Sequence, residues 1–427
     1  MAQIATITTA READTAQTAR LRLLAVATEE PVVDDQKTKP FFEPPDKLYS
    51  MKDIHDAIPK HCFERNSLLS FGYMLRDFAM VFSLMWLAAT FLPSIQNDYV
   101  RKAAWLAYSF LQGCFFTGLW ELAHECGHGA LSPKKWVNNS MGMLMHSFLL
   151  VPYHSWRFTH STHHKTTNNI EKDIAFVPDV KEDWVAKRKG RDWFMKLLEL
   201  VEDMPMAVML ELLGHQLVAW PVYLIINNFA LPRMAVVAWW KRSHFYFGGD
   251  GPNFKPANSK DVIISDLGIA AALSVLYACV QLFGKWNVLL LYGFPYLWTN
   301  HWILTITFLQ HTDFSIPYYP TRTWTFLRGA ASTVDRDFGF IGRVLFHGAI
   351  ETHVLHHHAS RIPFYHAIEA TKAIRGVMGV HYQSDFETPY LWAFWKNRKA
   401  CMFVEEVDKG SDIYFFSRES KKDAMKG

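Results

Sequence analysis

The chain of 427 residues is 50% hydrophobic, 15% aromatic and only 20% charged, which excludes a disordered, collagenous or coiled-coil protein. Lys and Arg number 44 against 41 Asp and Glu, and a net charge of +3 over this length leaves no basic stripe for nucleic acid. Five scattered cysteines argue against a disulfide framework and point to a reducing, cytosol-facing compartment, while 20 clustered histidines make metal chemistry the first question.

Residues 1–40 are small, polar and charged, lack the apolar core of a signal peptide, and read as a disordered, solvated tail. Ordered sequence is expected from about Pro40, in a proline-rich lead-in segment with a short helix that Ser50 can cap. Residues 41–410 read as one membrane domain without internal repeat or flexible linker, and 411–427 as a polar C-terminal tail. About twenty helical residues are needed to cross a bilayer core of about 30 Å. Residues 78–95 and 103–123, linked by Gln96, Asn97 and Asp98, predict a helical hairpin through the membrane; 267–283 and 288–309, around Lys285 and Trp286, predict a second. Residues 207–230 contain Glu211, His215 and Pro221 and are expected to lie in the membrane plane, and 141–153 are too few to span. The expected fold is an all-α integral membrane protein with about four transmembrane helices in two hairpins plus in-plane helices and a histidine-rich cap. The basic loop 165–196 should face the cytosol, and both termini with it.

Three histidine groups follow the apolar runs. His124-Glu125-Cys126-Gly127-His128 places two rings a turn apart, and His160, His163, His164 and His353, His356, His357 each present three rings at i, i+3 and i+4 on one helical face. Eight rings exceed the four ligands of a single zinc, so they indicate two metal ions sharing one site, and affinity order alone does not select the metal. One shared site requires an even number of crossings between His164 and His353, which is why 207–230 is assigned to the membrane plane. His311, just after the last apolar run, is a candidate ninth ring. His347 and His358 read as structural, and His146, His154, His215, His301, His366 and His381 as packing or surface residues. The first group also satisfies the HExxH pattern of zinc proteases with Glu125 as base, but that reading leaves the other groups without a role. A metal transporter would hold its ligands within the crossing helices rather than beyond their ends.

With its one HxxxH and two HxxHH groups the sequence resembles the membrane-bound acyl-lipid fatty acid desaturases. The likeness runs from about Pro40 to Val407 through HCFERN, HECGHGALS, VPYHSWRFTHSTHHKTTN, TFLQHTD, DRDFGFIG, ETHVLHHHASRIPFYHA and EATKAI, wording similar to the Δ12 (oleate) and ω3 subgroup and to its fungal members. The resemblance implies a diiron centre ligated by His124, His128, His160, His163, His164, His353, His356 and His357, with His311 as the additional histidine. It also implies O2 as co-substrate, acyl chains of membrane phospholipids as substrate, and residence in the endoplasmic reticulum. Electrons would come from cytochrome b5 and its NADH-dependent reductase; no His-Pro-Gly-Gly haem motif occurs, so the donor is expected to be a separate protein. Removing hydrogen from an unactivated methylene needs a strong oxidant that a metal supplies and the protein positions. Carboxylates that could orient the rings are Glu125, Asp173, Asp313, Asp335, Asp337 and Glu351. The basic stretch 181–191 could meet lipid head groups or an acidic donor protein. Δ12 desaturation of oleoyl chains is the expected activity, with ω3 or bifunctional desaturation, or hydroxylase or conjugase activity, as alternatives.

Overall fold

A computed structural model describes residues 42–175, 177–189, 204–227, 237–419 and 424–425. The expected N-terminal tail, the basic residues Arg191 and Lys196, and the end of the third apolar stretch lie outside them, as does the side chain of His215.

Helix α1 (Met51–Ala57) starts at a capping box: Asp53 N–H donates to the Ser50 hydroxyl and the Asp53 carboxylate accepts from Ser50 N–H at 2.8 Å. Helix α2 (Ser67–Phe91) begins well before the first apolar stretch, because Asn66 Oδ1 accepts from the Leu68 and Leu69 amides and starts the helix there. Asn97 does the same for Tyr99 and Val100, so Asp98, expected in the link, opens helix α3 (Asp98–His128). With 31 residues α3 is about 46 Å long. Helices α4 (Lys135–Phe148) and α5 (Tyr153–Thr166) follow, then α6 (Lys181–Lys189) and α7 (Pro205–Ile226), which contains Pro221. Asn138, the first residue of an N-x-S sequon, is buried and donates to Ser132 O at 2.7 Å, which closes it to modification in the folded chain.

Helix α8 (Ser259–Phe283) ends at Gly284, whose φ of +84° favours glycine. A short helical turn and a π-type widening at Leu289–Gly293 then lead into α9 (Phe294–His311). With their flanking turns, α2 and α8 are long and apolar enough to cross a membrane, and only 17% of the most apolar window of each is buried. A soluble core helix would be largely covered; here Leu68, Trp86, Leu267 and Leu282 stand exposed, as suits a helix facing an apolar surrounding.

α3 and α9 form the centre. A Cβ on Gly113 would lie 2.3 Å from Trp298 Cβ, so the absence of a side chain there lets the two backbones approach. The main core joins Phe116, Leu119 and Trp120 of α3 to Met141 and Met145 of α4, Tyr153 and Trp156 of α5, Trp220 and Leu224 of α7, and Ile303 and Leu304 of α9.

The remaining elements are short: α10 (Phe326–Ala330), β1 (Val334–Arg336), α11 (His353–His358), α12 (Phe364–Met378), β2 (Gln383–Asp385), α13 (Tyr390–Ala400), β3 (Val404–Glu406) and β4 (Tyr414–Phe416). β1 runs parallel to β2 with Val334 opposite Gln383, and β3 antiparallel to β4 with Val404 opposite Phe416. These ladders qualify the all-α expectation within a mainly helical fold. β4 lies within 411–427, so the stretch expected as a tail carries a paired strand. A second core packs Ile54, Ile58 and Cys62 of the lead-in segment on Val354 and Leu355 of α11 and on Ala367, Ala370 and Ile374 of α12.

Candidate metal centre

The last turns of α3 carry His124 and His128. The helix ends at Gly129 (φ +74°), with the Gly129 and Ala130 amides returned to Cys126 O and Glu125 O. α5 carries His160, His163 and His164, the last turn of α9 carries His311, and α11 carries the third group. α11 is too short to hold its position alone. The buried Asp335 carboxylate accepts from Val354 N–H at 2.7 Å and from the Tyr382 hydroxyl, which fixes the helix start. Next to it Arg336, fully buried, donates to Leu309 O (2.9 Å), Asp313 (2.8 Å) and Asp385 (2.8 Å), tying the end of α9 to β2.

All nine rings named from the sequence are brought together. His124, His128, His160, His164 and His356 form one group, with His160 Nε2 2.8 Å from His124 Nε2, 3.0 Å from His128 Nε2 and 3.0 Å from His164 Nε2. His163, His311 and His357 form a second, joined by His353, whose Nε2 is 3.0 Å from that of His311; His163 Nε2 is 3.2 Å from the same atom. The groups abut where His164 and His357 stack at 4.1 Å between centroids.

This arrangement fits two metal ions. A ring nitrogen offers one proton or one lone pair, so the crowd around His160 Nε2 is not satisfied by hydrogen bonds among the rings, whereas a cation accepts all the lone pairs. Ligands at about 2.0–2.1 Å from one ion lie about 3 Å apart, as these do. The buried Nε2 atoms of His356 and His357 have no hydrogen-bond partner. Burial, reinforced by neighbouring imidazoles, holds His128, His160, His164, His353 and His357 well below the ordinary imidazole pKa, so they are neutral and able to coordinate.

Four of the opposite ring nitrogens are braced. His163 Nδ1 is 2.9 Å from Asp173, His124 Nδ1 is 3.2 Å from Glu121, His356 Nδ1 is 3.4 Å from Glu125, and His357 Nδ1 is 3.2 Å from the Thr167 hydroxyl. Asp173 and Glu125 were among the carboxylates named from the sequence. Asp313, Asp335, Asp337 and Glu351 instead serve Arg336, Val354 N–H, Arg343 and Phe338 N–H. Sequence reasoning missed Glu121 and Thr167. Glu121 was signalled by standing as a carboxylate in an apolar run three residues before His124; Thr167 carried no signal.

Among the other histidines, His347 Nε2 lies 2.7 Å from the buried Asp77 carboxylate and His358 Nδ1 donates to Val354 O. His146 packs among Trp120, Tyr153 and Trp156. In the basic loop Lys181 pairs with Glu405 and Glu419, and Lys187 with Asp179.

The centre opens on a cavity walled by Trp120, Trp156, Trp220, Tyr223, Leu304, Ile306, Ile362 and Phe364, with Thr159, Thr307 and Gln310 among its polar points. A long apolar ligand would meet mainly carbon there, with imidazoles at one wall.

The fatty acid desaturase family profile matches residues 103–389, and a domain of unknown function matches residues 5–86. The chain is 42% identical over 398 residues to an oleate hydroxylase of Claviceps purpurea, covering 89% of this chain and 83% of that one. It is 42% identical over 391 residues to a Δ12 fatty acid desaturase of Mortierella alpina (89% and 94% covered). To a Δ12 fatty acid desaturase of Arabidopsis thaliana it is 36% identical over 388 residues (90% and 95%).

Proposed function

The chain belongs to the fatty acid desaturase family and is an oxidoreductase, and from that premise we propose that it inserts a cis double bond at Δ12 of oleoyl chains in membrane lipids, giving linoleoyl chains. The observation that carries this reading is a cluster of nine imidazoles, six of which line an apolar cavity, in a chain so similar to Δ12 enzymes. In this reading His124, His128, His160, His163, His164, His311, His353, His356 and His357 hold two irons. Electrons come from a separate cytochrome b5 served by an NADH-dependent reductase. The protein is membrane-associated; we place it in the endoplasmic reticulum with α2, α3, α8 and α9 crossing, α7 in plane, and the histidine groups and both termini cytosolic.

Held by these rings, two irons would, with O2, supply the oxidising power needed to remove hydrogen from an unactivated methylene pair. The chain's own residues position and shield. Glu121, Glu125, Asp173 and Thr167 hold the outer nitrogens of His124, His356, His163 and His357 and so fix the direction of those four Nε2 atoms. The tryptophans at 120, 156 and 220 exclude water from the reacting carbons and confine the chain to a narrow set of positions.

Expression in a yeast that makes oleate but no polyunsaturated fatty acids, followed by gas chromatography with double-bond location, tests the proposal. Linoleate is the expected product. Conversion of fed linoleate alone would replace Δ12 by ω3 activity, and no new fatty acid from a stably expressed, iron-loaded protein would overturn both. A second reading, oleate hydroxylation, is favoured by the 42% identity to the hydroxylase, equal to that of the M. alpina desaturase; 12-hydroxyoleate in place of linoleate would establish it.

A further inference from the structure

Outside the nine-ring centre, four side chains from two distant parts of the chain converge: His61 and Cys62 from the turn Lys60–Phe63, and His366 and Glu369 from one face of α12. We propose that His61, Cys62, His366 and Glu369 form a mononuclear zinc site that clasps the lead-in segment to α12. Their donor atoms all lie within 4.8 Å of one another. A tetrahedral zinc with bonds of about 2.3 Å to sulfur and about 2.0 Å to nitrogen and oxygen sets edges of about 3.6 Å (S···N) and about 3.3 Å (N···O). Cys62 Sγ to His61 Nε2 is 3.7 Å and His61 Nε2 to Glu369 Oε2 is 3.0 Å.

Thiolate, two imidazoles and a carboxylate are a borderline-soft, four-donor set of the kind zinc occupies, unlike the imidazole-only centre next door. Binding displaces the Cys62 thiol proton to solvent and forms the Zn–S bond; thiolate and carboxylate together then neutralise the divalent charge. The site closes a loop of about 300 residues, since His61 and Glu369 are 308 apart. Cys62 also packs in the core that includes Val354 and Leu355, so the clasp seats the segment against the helix bearing the third histidine group. Sequence reading took His366 for a packing or surface residue, because its partners lie at the other end of the chain.

The test is metal analysis of the full-length protein, purified in detergent without chelator, beside the Cys62→Ala and His366→Ala variants. One zinc per chain in the wild type, lost in both variants while iron is retained, is expected. Replacement of zinc by Co2+ should give a thiolate-to-cobalt charge-transfer band that Cys62→Ala abolishes. If the core variant aggregates, Glu369→Gln, on the exposed rim, must still lower zinc retention and shift the cobalt spectrum. A wild type with neither zinc nor a cobalt–thiolate band, or zinc unchanged by every substitution, would overturn the proposal. Iron or copper in place of zinc, removed by the same substitutions, would overturn the assignment of the metal.

Discussion

The nine-ring centre and the His61 cluster are both potential metal sites, yet they are built on opposite plans. The first uses imidazole alone, keeps it mostly buried, and braces four of the outer nitrogens with Glu121, Glu125, Asp173 and Thr167. The second mixes sulfur, nitrogen and oxygen donors, and its His61 and Glu369 side chains are 51% and 54% exposed. Rigid, desolvated ligands suit an ion that must change oxidation state without moving; a half-exposed mixed set suits one that only fastens. The lesson is that burial and bracing, rather than histidine count, separate a reaction centre from a clasp.

The sharpest way to break this contrast is to remove one buried ring. His163→Ala should abolish new fatty acid formation and lower bound iron in a protein that still purifies as a monodisperse membrane protein. Wild-type turnover in that variant would refute the role of the ring. A smaller but still severe effect is expected at Arg336, which touches no ring but holds the end of α9 to β2. Removing one partner of a buried ionic group costs about 3–5 kcal/mol. Arg336→Ala should fall near the lower end, because Asp313 and Asp385 are 22% and 29% exposed and regain water. A thermal-unfolding series in detergent measures it.

Bracing itself can be tested at Asp173, which also receives the Asn168, Ile174 and Ala175 amides. Loss of such outer partners typically costs about 10–100-fold in metal affinity or activity. Asp173→Asn should sit near tenfold, since its remaining oxygen can still accept from His163. Iron retention against a chelator, compared with the unchanged fold, reads this effect.

Much of the centre was legible in the sequence because helical periodicity is local: rings at i, i+3 and i+4 share a face whatever the fold. His311 was accessible for a related reason, standing at the end of an apolar run. What brings the groups together was not legible. Asp335 and Arg336 act on residues 19 to 49 positions away, and β1–β4 are three-residue strands whose pairing is set by their surroundings rather than by alternation. Helix starts were displaced for a simple reason: Asn66 and Asn97 cap first turns that precede the apolar runs by which hydropathy locates a helix.

The smallest effect expected lies in the lead-in segment. Ser50→Ala removes one half of the capping box of α1, a loss of about 1 kcal/mol. The helix sits in the core that also contains Cys62 and Val354, so the substitution loosens the segment without touching a ring. If the two metal-capable regions are energetically separate, Ser50→Ala should speed limited proteolysis near residue 60 and leave iron content unchanged. Parallel loss of iron would mean that the lead-in segment helps to hold α11, joining through the shared apolar core two regions with different donor sets.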